Sequence, residues 1–463
     1  VKLSFHGAAR TVTGSCHLLD CCGVRILIDC GLFQGGRELH EDNAGPFGFD
    51  ASTIDFVLLT HAHLDHVGRL PLLAKQGFRG EVIATVATFD LARLVLLDSA
   101  HLQAEEARHR LRAGAGHRQG HDAPPLYTML ETLDAIGRFS RAAAYQKKFV
   151  VAPGVSATFF DAGHILGSAS ILLDVKESGR ETSILFSGDI GNRGRPLLRD
   201  PQTPATARHV VMESTYGDRQ HRDFAASIDE FVDAVASTLG RGGNVVIPTF
   251  ALERAQDLLF TLHDGVARGR LPKGLPVFLD SPMAISATEI FRRHPECYSA
   301  EMRRRLAAGE DPLDLPGLRM TRESLESIEI NRIKGGAVIM AGAGMCTGGR
   351  IRHHLAGNLP GPANSIVFAG FAAEGTLARR IVDGAQSVRL FGEEIAVRAR
   401  IHTINGFSAH ADQHELVAWH KAIGGTETTF LVHGEEPAMA ALQSRLGKGR
   451  IERPALGEIF VLE

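Results

Sequence analysis

Short apolar runs with turn residues between them open the chain. Lys2 to His6, Ser15 to Asp20 and Val24 to Asp29 each read as a β-strand, the last two joined by a turn at Cys22-Gly23. Ile54 to Leu59 is apolar except at Asp55 and reads as a buried strand. The periodicity then lengthens: it predicts a helix over His66 to Gln76, a strand over Glu81 to Thr85, and a long helix over Thr88 to Gly114. Leu91, Leu94, Val95, Leu97 and Leu102 give that helix an apolar face. The stretch from Gly114 to Pro125, rich in Gly, His, Arg and Pro, reads as a loop.

Strand signals return at Ala157 to Asp161, Ser170 to Val175, Thr182 to Ser187 and His209 to Met212. After that the texture changes to alternation. A helix over 223–239 is followed by a strand at Asn244 to Pro248 and a helix at Leu252 to His263. A strand at Val277 to Asp280 and a helix at Ile285 to Arg293 come next. Such alternation predicts a parallel, doubly wound sheet inserted as its own domain.

Composition narrows the class. A chain of 463 residues is enough for two to three domains, and 44% hydrophobic with 22% charged residues describes a globular protein. No apolar stretch reaches membrane-span length, and the first residues lack a secretory pattern, so no membrane and a cytoplasmic address are expected. The six cysteines form no C-x-x-C pair and are expected as reduced thiols. A net charge of -3 argues against non-specific coating of nucleic acid but not against a nuclease, because bound cations supply charge that a residue count misses.

The densest chemistry lies in His61-Ala62-His63-Leu64-Asp65-His66, three imidazoles and a carboxylate directly behind a strand. His61 and His63 can point to one side while the turning chain faces Asp65 and His66 to another, so one loop can feed two cations. Further ligand types follow other strands, in Asp161-Ala162-Gly163-His164 and in Ser187-Gly188-Asp189. His109, His117 and His121 have no partners at ligand spacing and are read as scattered polar residues.

Asp29, the His61 to His66 cluster, His164 and Asp189 together resemble the successive motifs of the metallo-β-lactamase superfamily. Glu213 in Met212-Glu213-Ser214-Thr215, His410 in Gly406 to Asp412, and His433 in Val432-His433-Gly434 resemble the extra motifs of its β-CASP branch of RNA- and DNA-processing nucleases. The resemblance implies an α/β fold, an αββα sandwich with an inserted β-CASP domain built on a parallel sheet. It divides the chain into a first lactamase part at 1–217, the β-CASP domain at 218–399 and the returning lactamase part at 400–463.

It also implies two zinc ions, one on His61, His63 and His164, the other on Asp65, His66 and His433, bridged by Asp189 and a hydroxide. Asp29 would orient a ligand histidine. The implied activity is a zinc-dependent ribonuclease on single-stranded RNA, in processing or decay. Hydroxide would attack phosphorus in line, His410 would protonate the leaving O3′ and Glu213 would hold that imidazole, giving 5′-phosphate and 3′-hydroxyl ends. Asp65 and Asp189 count among the catalytic groups as well as the ligands.

Substrate contacts are expected from Arg350 behind the glycine-rich turn Gly342 to Gly349, from Phe250 as a stacking ring, from Arg254 and from Ser408. For Phe250 burial in the domain core is the competing expectation. Two alternatives accompany this reading: a DNA nuclease of the same branch, whose members carry an apolar residue where His433 stands, and a non-catalytic scaffold subunit. A homodimer is a compatible assembly.

Overall fold

The computed structural model describes residues 1–35, 42–113, 124–370, 372–447 and 449–462. His117 and His121, and the side chain of His109, lie outside the described residues. The chain forms two units: Val1–Arg195 with Arg199–Gln220 and His410–Glu463, and Pro196–Leu198 with His221–Ala409.

The first unit contains two seven-stranded sheets. In one, the order is Ile459–Val461, Lys2–Phe5, His17–Cys21, Val24–Ile28, Phe56–Leu58, Glu81–Ala84 and Phe139–Ala142. In the other it is Arg450–Glu452, Thr428–Val432, His209–Glu213, Arg180–Phe186, Ala169–Glu177, Val155–Asp161 and Phe149–Ala152. Alternate residues of both, including Leu3, Ile26, Ile28, Leu58 and Ile83 with Phe159, Ile171, Leu173, Phe186 and Val211, merge into one core. That is the period of two that lets one face of each strand bury against the facing sheet.

The opposite parity points outward. Leu185, Val210, Met212 and Leu431 pack with Leu416, Trp419, Met439 and Leu442 from the helices Gln413–Lys421 and Glu436–Leu446. The first of these helices is started by Asp412, whose side chain accepts from the Glu415 amide while Glu415 reaches back. Among the described residues no helix is long and apolar enough to cross a membrane.

Periodicity predicts one helix from His66 to Gln76, and the structure has two, Leu64–Val67 and Leu70–Lys75. The break has a cause at Arg69. Its amide donates to the Cys30 carbonyl (2.9 Å), its guanidinium lies 4.1 Å from the Phe47 ring centroid, and Pro71 can supply no donor to continue the first helix. The strands Phe139–Ala142 and Phe149–Ala152 escaped the sequence reading because they are short and partly exposed.

The second unit holds a six-stranded, wholly parallel sheet in the order Leu318–Met320, Val277–Asp280, Val338–Ala341, Val245–Pro248, Ser365–Phe368 and Arg400–Thr403. Its four central strands are buried at every position, which explains why they are apolar except at Asp280 and Ser365. Asp280 ends one of them and has no solvent exposure. Oδ1 accepts from Thr321 Oγ1 and Arg350 Nη1 (both 2.8 Å), and Oδ2 from Ser327 Oγ (2.6 Å), with His354 Nε2 also at 2.6 Å.

Burial alone would lift this carboxyl, but His354, Ser327, Thr321 and Arg350 outweigh it and hold it at about 2. The stabilisation is therefore present above the unfolded value of 3.8 and is lost as pH falls through about 2. Asp280→Ala should cost ~3–5 kcal/mol, because it leaves the buried donors without their charge partner. Denaturant unfolding at neutral pH measures this, and an unchanged midpoint would show the network to be idle.

Candidate metal centre

Strand ends deliver the candidate ligands. Asp29 follows Val24–Ile28, His61 follows Phe56–Leu58 by three residues, His164 follows Val155–Asp161, Asp189 follows Arg180–Phe186, and His433 directly follows Thr428–Val432. Two glycines let these loops touch. A Cβ on Gly31 would lie 1.6 Å from the Asp65 carbonyl oxygen, and one on Gly191 would lie 1.7 Å from that of Gly163. Asp29 and His433 themselves adopt left-handed backbone, with φ of 60° and 48°. Such conformations cost ~1–3 kcal/mol and collect at functional sites.

Two sets of donor atoms result, each within 4.8 Å of one another: His61, His63, His164 and Asp189, and Asp65, His66 and His433. In the first, His63 Nδ1 is 3.1 Å from His61 Nε2 and 3.2 Å from His164 Nε2, and Asp189 Oδ2 is 3.4 and 3.5 Å from the same two nitrogens. In the second, His433 Nε2 is 3.3 Å from Asp65 Oδ2, and His66 Nε2 is 3.3 Å from the other oxygen of Asp189. Asp189 thus gives one oxygen to each set. A third grouping, Asp189 with Glu213 and His433, shares two of these residues.

The spacing fits a cation. Tetrahedral ligands bound at ~2.0–2.1 Å stand about 3.3–3.4 Å from each other, close to the separations found. His66 Nε2 and Asp189 Oδ1 are both buried, and among the described residues neither has a hydrogen-bond partner. A ring nitrogen and a carboxylate oxygen, both orphaned and side by side, are what a bound metal would satisfy.

Three of the rings already have the protonation state of a ligand, whereas burial at His66 is outweighed by Asp189 and Asp29, which hold it above its ordinary value. Burial, then the neighbouring His66, pushes the His61 imidazole down to about 3, and burial outweighs Asp65 and Asp189 to hold His63 at about 4. Burial and His410 depress His164 as well. These rings are neutral and able to donate lone pairs. Burial opposes the charged forms of Asp65 and Asp189, yet imidazoles, led by His433 in both cases, keep both carboxyls below their ordinary value. Buried carboxylates of this kind need compensating positive charge, which the neighbouring imidazoles or a bound cation can supply.

The next layer fixes ring orientation. Asp29 Oδ2 lies 2.7 Å from His66 Nδ1 and accepts from Thr60 Oγ1 (2.7 Å), while Asp29 Oδ1 accepts from the Thr60 amide (2.8 Å). With the Thr60 hydroxyl proton spent on Asp29, the contact of Thr60 Oγ1 with His61 Nδ1 (3.0 Å) is a hydrogen bond donated by the ring.

His410 reaches the same place from the start of the segment before Gln413–Lys421. It bridges to Gly191, and the Ala411 amide donates to the Ile190 carbonyl (2.7 Å). Its Nδ1 lies 3.2 and 3.3 Å from the two oxygens of Glu213, whose Oε1 also accepts from the Ile190 amide (2.6 Å). The ring is 21% exposed and its centroid is 4.5 Å from that of His164. Burial disfavours the imidazolium, but Glu213, then Asp189, outweigh it and raise His410 to about 9.

Residues 9–248, more than half of the chain, match the family model of the metallo-beta-lactamase superfamily. The chain belongs to that superfamily. Residues 255–381 match the Beta-Casp domain and 394–453 the Zn-dependent metallo-hydrolase RNA specificity domain, which places it in the β-CASP branch. It is 41% identical to Ribonuclease TTHA0252 of Thermus thermophilus over 94% of both chains. It is 32% identical to the transcription termination factor FttA of Methanosarcina mazei over 98% of this chain and 70% of that one. A structure of a protein of unknown function from Enterococcus faecalis V583 aligns over 100% of this chain and 99% of its own at a TM-score of 0.55 and 12% identity, a likeness of fold alone.

Within this β-CASP chain the expected substrate contacts all belong to the second unit. Phe250 is 49% exposed, and its ring lies against Gly344, where an added Cβ would meet it at 2.8 Å. The glycine-rich turn and the aromatic ring are therefore neighbours. Arg350 donates from Nη1 to Asp280 and to the Thr321 carbonyl (3.0 Å), and from Nη2 to the Arg322 carbonyl (2.6 Å). Arg254 and Ser408 are buried.

Sequence reasoning missed Thr60 and Thr215, whose hydroxyls touch His61 and His433. Their signal was adjacency: a hydroxyl residue directly before His61 and another two residues after Glu213. For His410, the candidate acid, the sign of a pH effect is fixed. Removing the Glu213 charge lowers the His410 pKa, so Glu213→Gln should move the alkaline limb of the pH-rate profile to lower pH. A limb that stays in place would count against their pairing.

Proposed function

We propose that this chain is a zinc-dependent ribonuclease that hydrolyses phosphodiester bonds of single-stranded RNA in cytoplasmic RNA processing or decay, leaving 5′-phosphate and 3′-hydroxyl ends. The observation that carries the reading is the pair of donor sets sharing Asp189, with His410 held by Glu213 beside them. The RNA specificity domain matched at 394–453 and the ribonuclease among the relatives favour RNA.

His61, His63, His164 and Asp189 would hold one zinc, and Asp65, His66, His433 and Asp189 the other. When bound, the ions supply the charge that acidifies water and draws phosphate oxygens. The remaining work falls to side chains. Asp29 keeps the Nδ1 proton of His66, so that Nε2 carries the lone pair. Glu213 keeps the Nδ1 proton of His410, which makes Nε2 the atom that protonates O3′. In the second unit, Phe250 is the stacking surface for a base, and Arg350 retains Nε–H and one Nη2–H for phosphate.

The test incubates purified protein with internally labelled single-stranded RNA and, in parallel, single-stranded DNA, with added zinc and after strong chelation. RNA should be cut with zinc and spared after chelation, and DNA should be the poorer substrate. Cutting that survives full removal of metal would refute the reading, and preference for DNA would move it to the other nucleases of the branch.

A further inference from the structure

Thr215 lies just past the strand His209–Glu213, and its Oγ1 makes two contacts with one residue. It is 3.1 Å from the carbonyl oxygen of His433 and 3.1 Å from Nδ1 of the same histidine. A hydroxyl has a single proton and a carbonyl can only accept. The contact with the carbonyl therefore takes the proton, and the contact with Nδ1 is attractive only if the ring brings its own. Donation from Oγ1 to Nδ1 instead would leave two oxygens facing each other at 3.1 Å with no proton between them.

From this we infer that Thr215 is a positioning residue that sets His433 in its Nδ1–H tautomer and so presents a bare Nε2 to the second cation. The inference rests on the assignment of His433 as a ligand in the proposed function. Its force comes from what His433 would do otherwise. Nε2 lies 3.3 Å from Asp65 Oδ2, a carboxylate that would gladly accept a proton from it. The Nε2–H tautomer satisfies Asp65 but places a hydrogen where the cation must sit. Without the hydroxyl that blocked form becomes the comfortable one, since Asp189 Oδ1 stands 3.6 Å from Nδ1, beyond hydrogen-bond distance.

The backbone around this contact is fastened to match. The His433 amide donates to the Ala8 carbonyl (2.8 Å), the Ser214 amide donates to the His433 carbonyl (3.2 Å), and Ser214 Oγ donates to the Val432 carbonyl (2.7 Å). The Thr215 amide in turn lies 3.4 Å from Glu213 Oε2. One segment, Glu213 to Thr215, thus orients the candidate acid from its first residue and the candidate ligand from its last.

The experiment titrates the zinc-loaded full chain with a competing chelator and counts zinc retained per chain in wild type, Thr215→Val, Thr215→Ala, Thr215→Ser and His433→Ala. Thr215→Val keeps the shape and removes the hydroxyl, and Thr215→Ala does so if the valine variant does not fold. Either should loosen one of the two zincs by ~10- to 100-fold and leave the other unchanged, while Thr215→Ser restores wild-type retention. Thermal unfolding of the metal-free protein should fall only by what one lost hydrogen bond to the His433 carbonyl explains, and a larger fall with both zincs retained would mark a merely structural role.

His433→Ala separates the layers. If it retains both zincs at wild-type affinity, the ligand assignment fails. If it loses one while both hydroxyl-less variants hold two as tightly as wild type, or if serine fails to restore binding, the role of Thr215 is overturned and the ligand assignment stands.

Discussion

Asp189→Ala should leave a protein that keeps less than its full complement of zinc after dialysis and cuts RNA at least ~10⁴-fold more slowly. Its two oxygens divide between the donor sets, Oδ2 toward His61 and His164 and Oδ1 toward His66. No other carboxylate does this, among the described residues, for both sets at once. Removing it takes a donor from each set and also the charge that, with Asp29, holds His66 above its ordinary range against burial. Residues that act as a unit lose most of their joint effect when one is removed, which is why the expected loss is so large. Elemental analysis and single-turnover cleavage read the two consequences separately. Two zincs and full activity in this variant would refute the shared carboxylate.

His410→Ala is expected to behave differently: both zincs and RNA affinity kept, turnover reduced by ~10²–10⁴-fold, the usual contribution of a positioned acid. His410 touches Glu213 through Nδ1 and stands outside both donor sets, so nothing in the metal count should depend on it. If zinc were lost with the imidazole, His410 would have to be counted as a ligand. If turnover survived, the leaving oxygen would be protonated by something else.

The sequence made the ligand types conspicuous because coordination demands specific side chains at strand ends, and the structure brings His61, His63, His164 and Asp189 to within bonding reach of one point. The parallel sheet of the second unit was also legible, since strands buried on both faces read as apolar runs, as Val245–Pro248 does throughout and Val277–Asp280 does up to its last residue.

What escaped had physical reasons. The break at Arg69 depends on a tertiary hydrogen bond to Cys30 that no local period reports. Thr60 and Thr215 looked like ordinary strand-end residues, because a hydroxyl's role is decided by which acceptor takes its one proton. Arg350 next to a glycine-rich turn resembled a phosphate ligand, and only the fold shows how much of its guanidinium Asp280 and two carbonyls already use.

The product ends test the central claim most directly. RNA carrying an internal label should be digested by the zinc-loaded protein, and the fragments analysed for their termini. Hydrolysis supported by the two donor sets, with His410 protonating O3′, yields a 5′-phosphate on one fragment and a 3′-hydroxyl on the other. A 2′-O-methyl group at the scissile nucleotide should then slow cutting only through fit. Fragments ending in 2′,3′-cyclic phosphate, or a strict need for the free 2′-hydroxyl with binding unchanged, would mean that the RNA supplies its own nucleophile and would contradict the account.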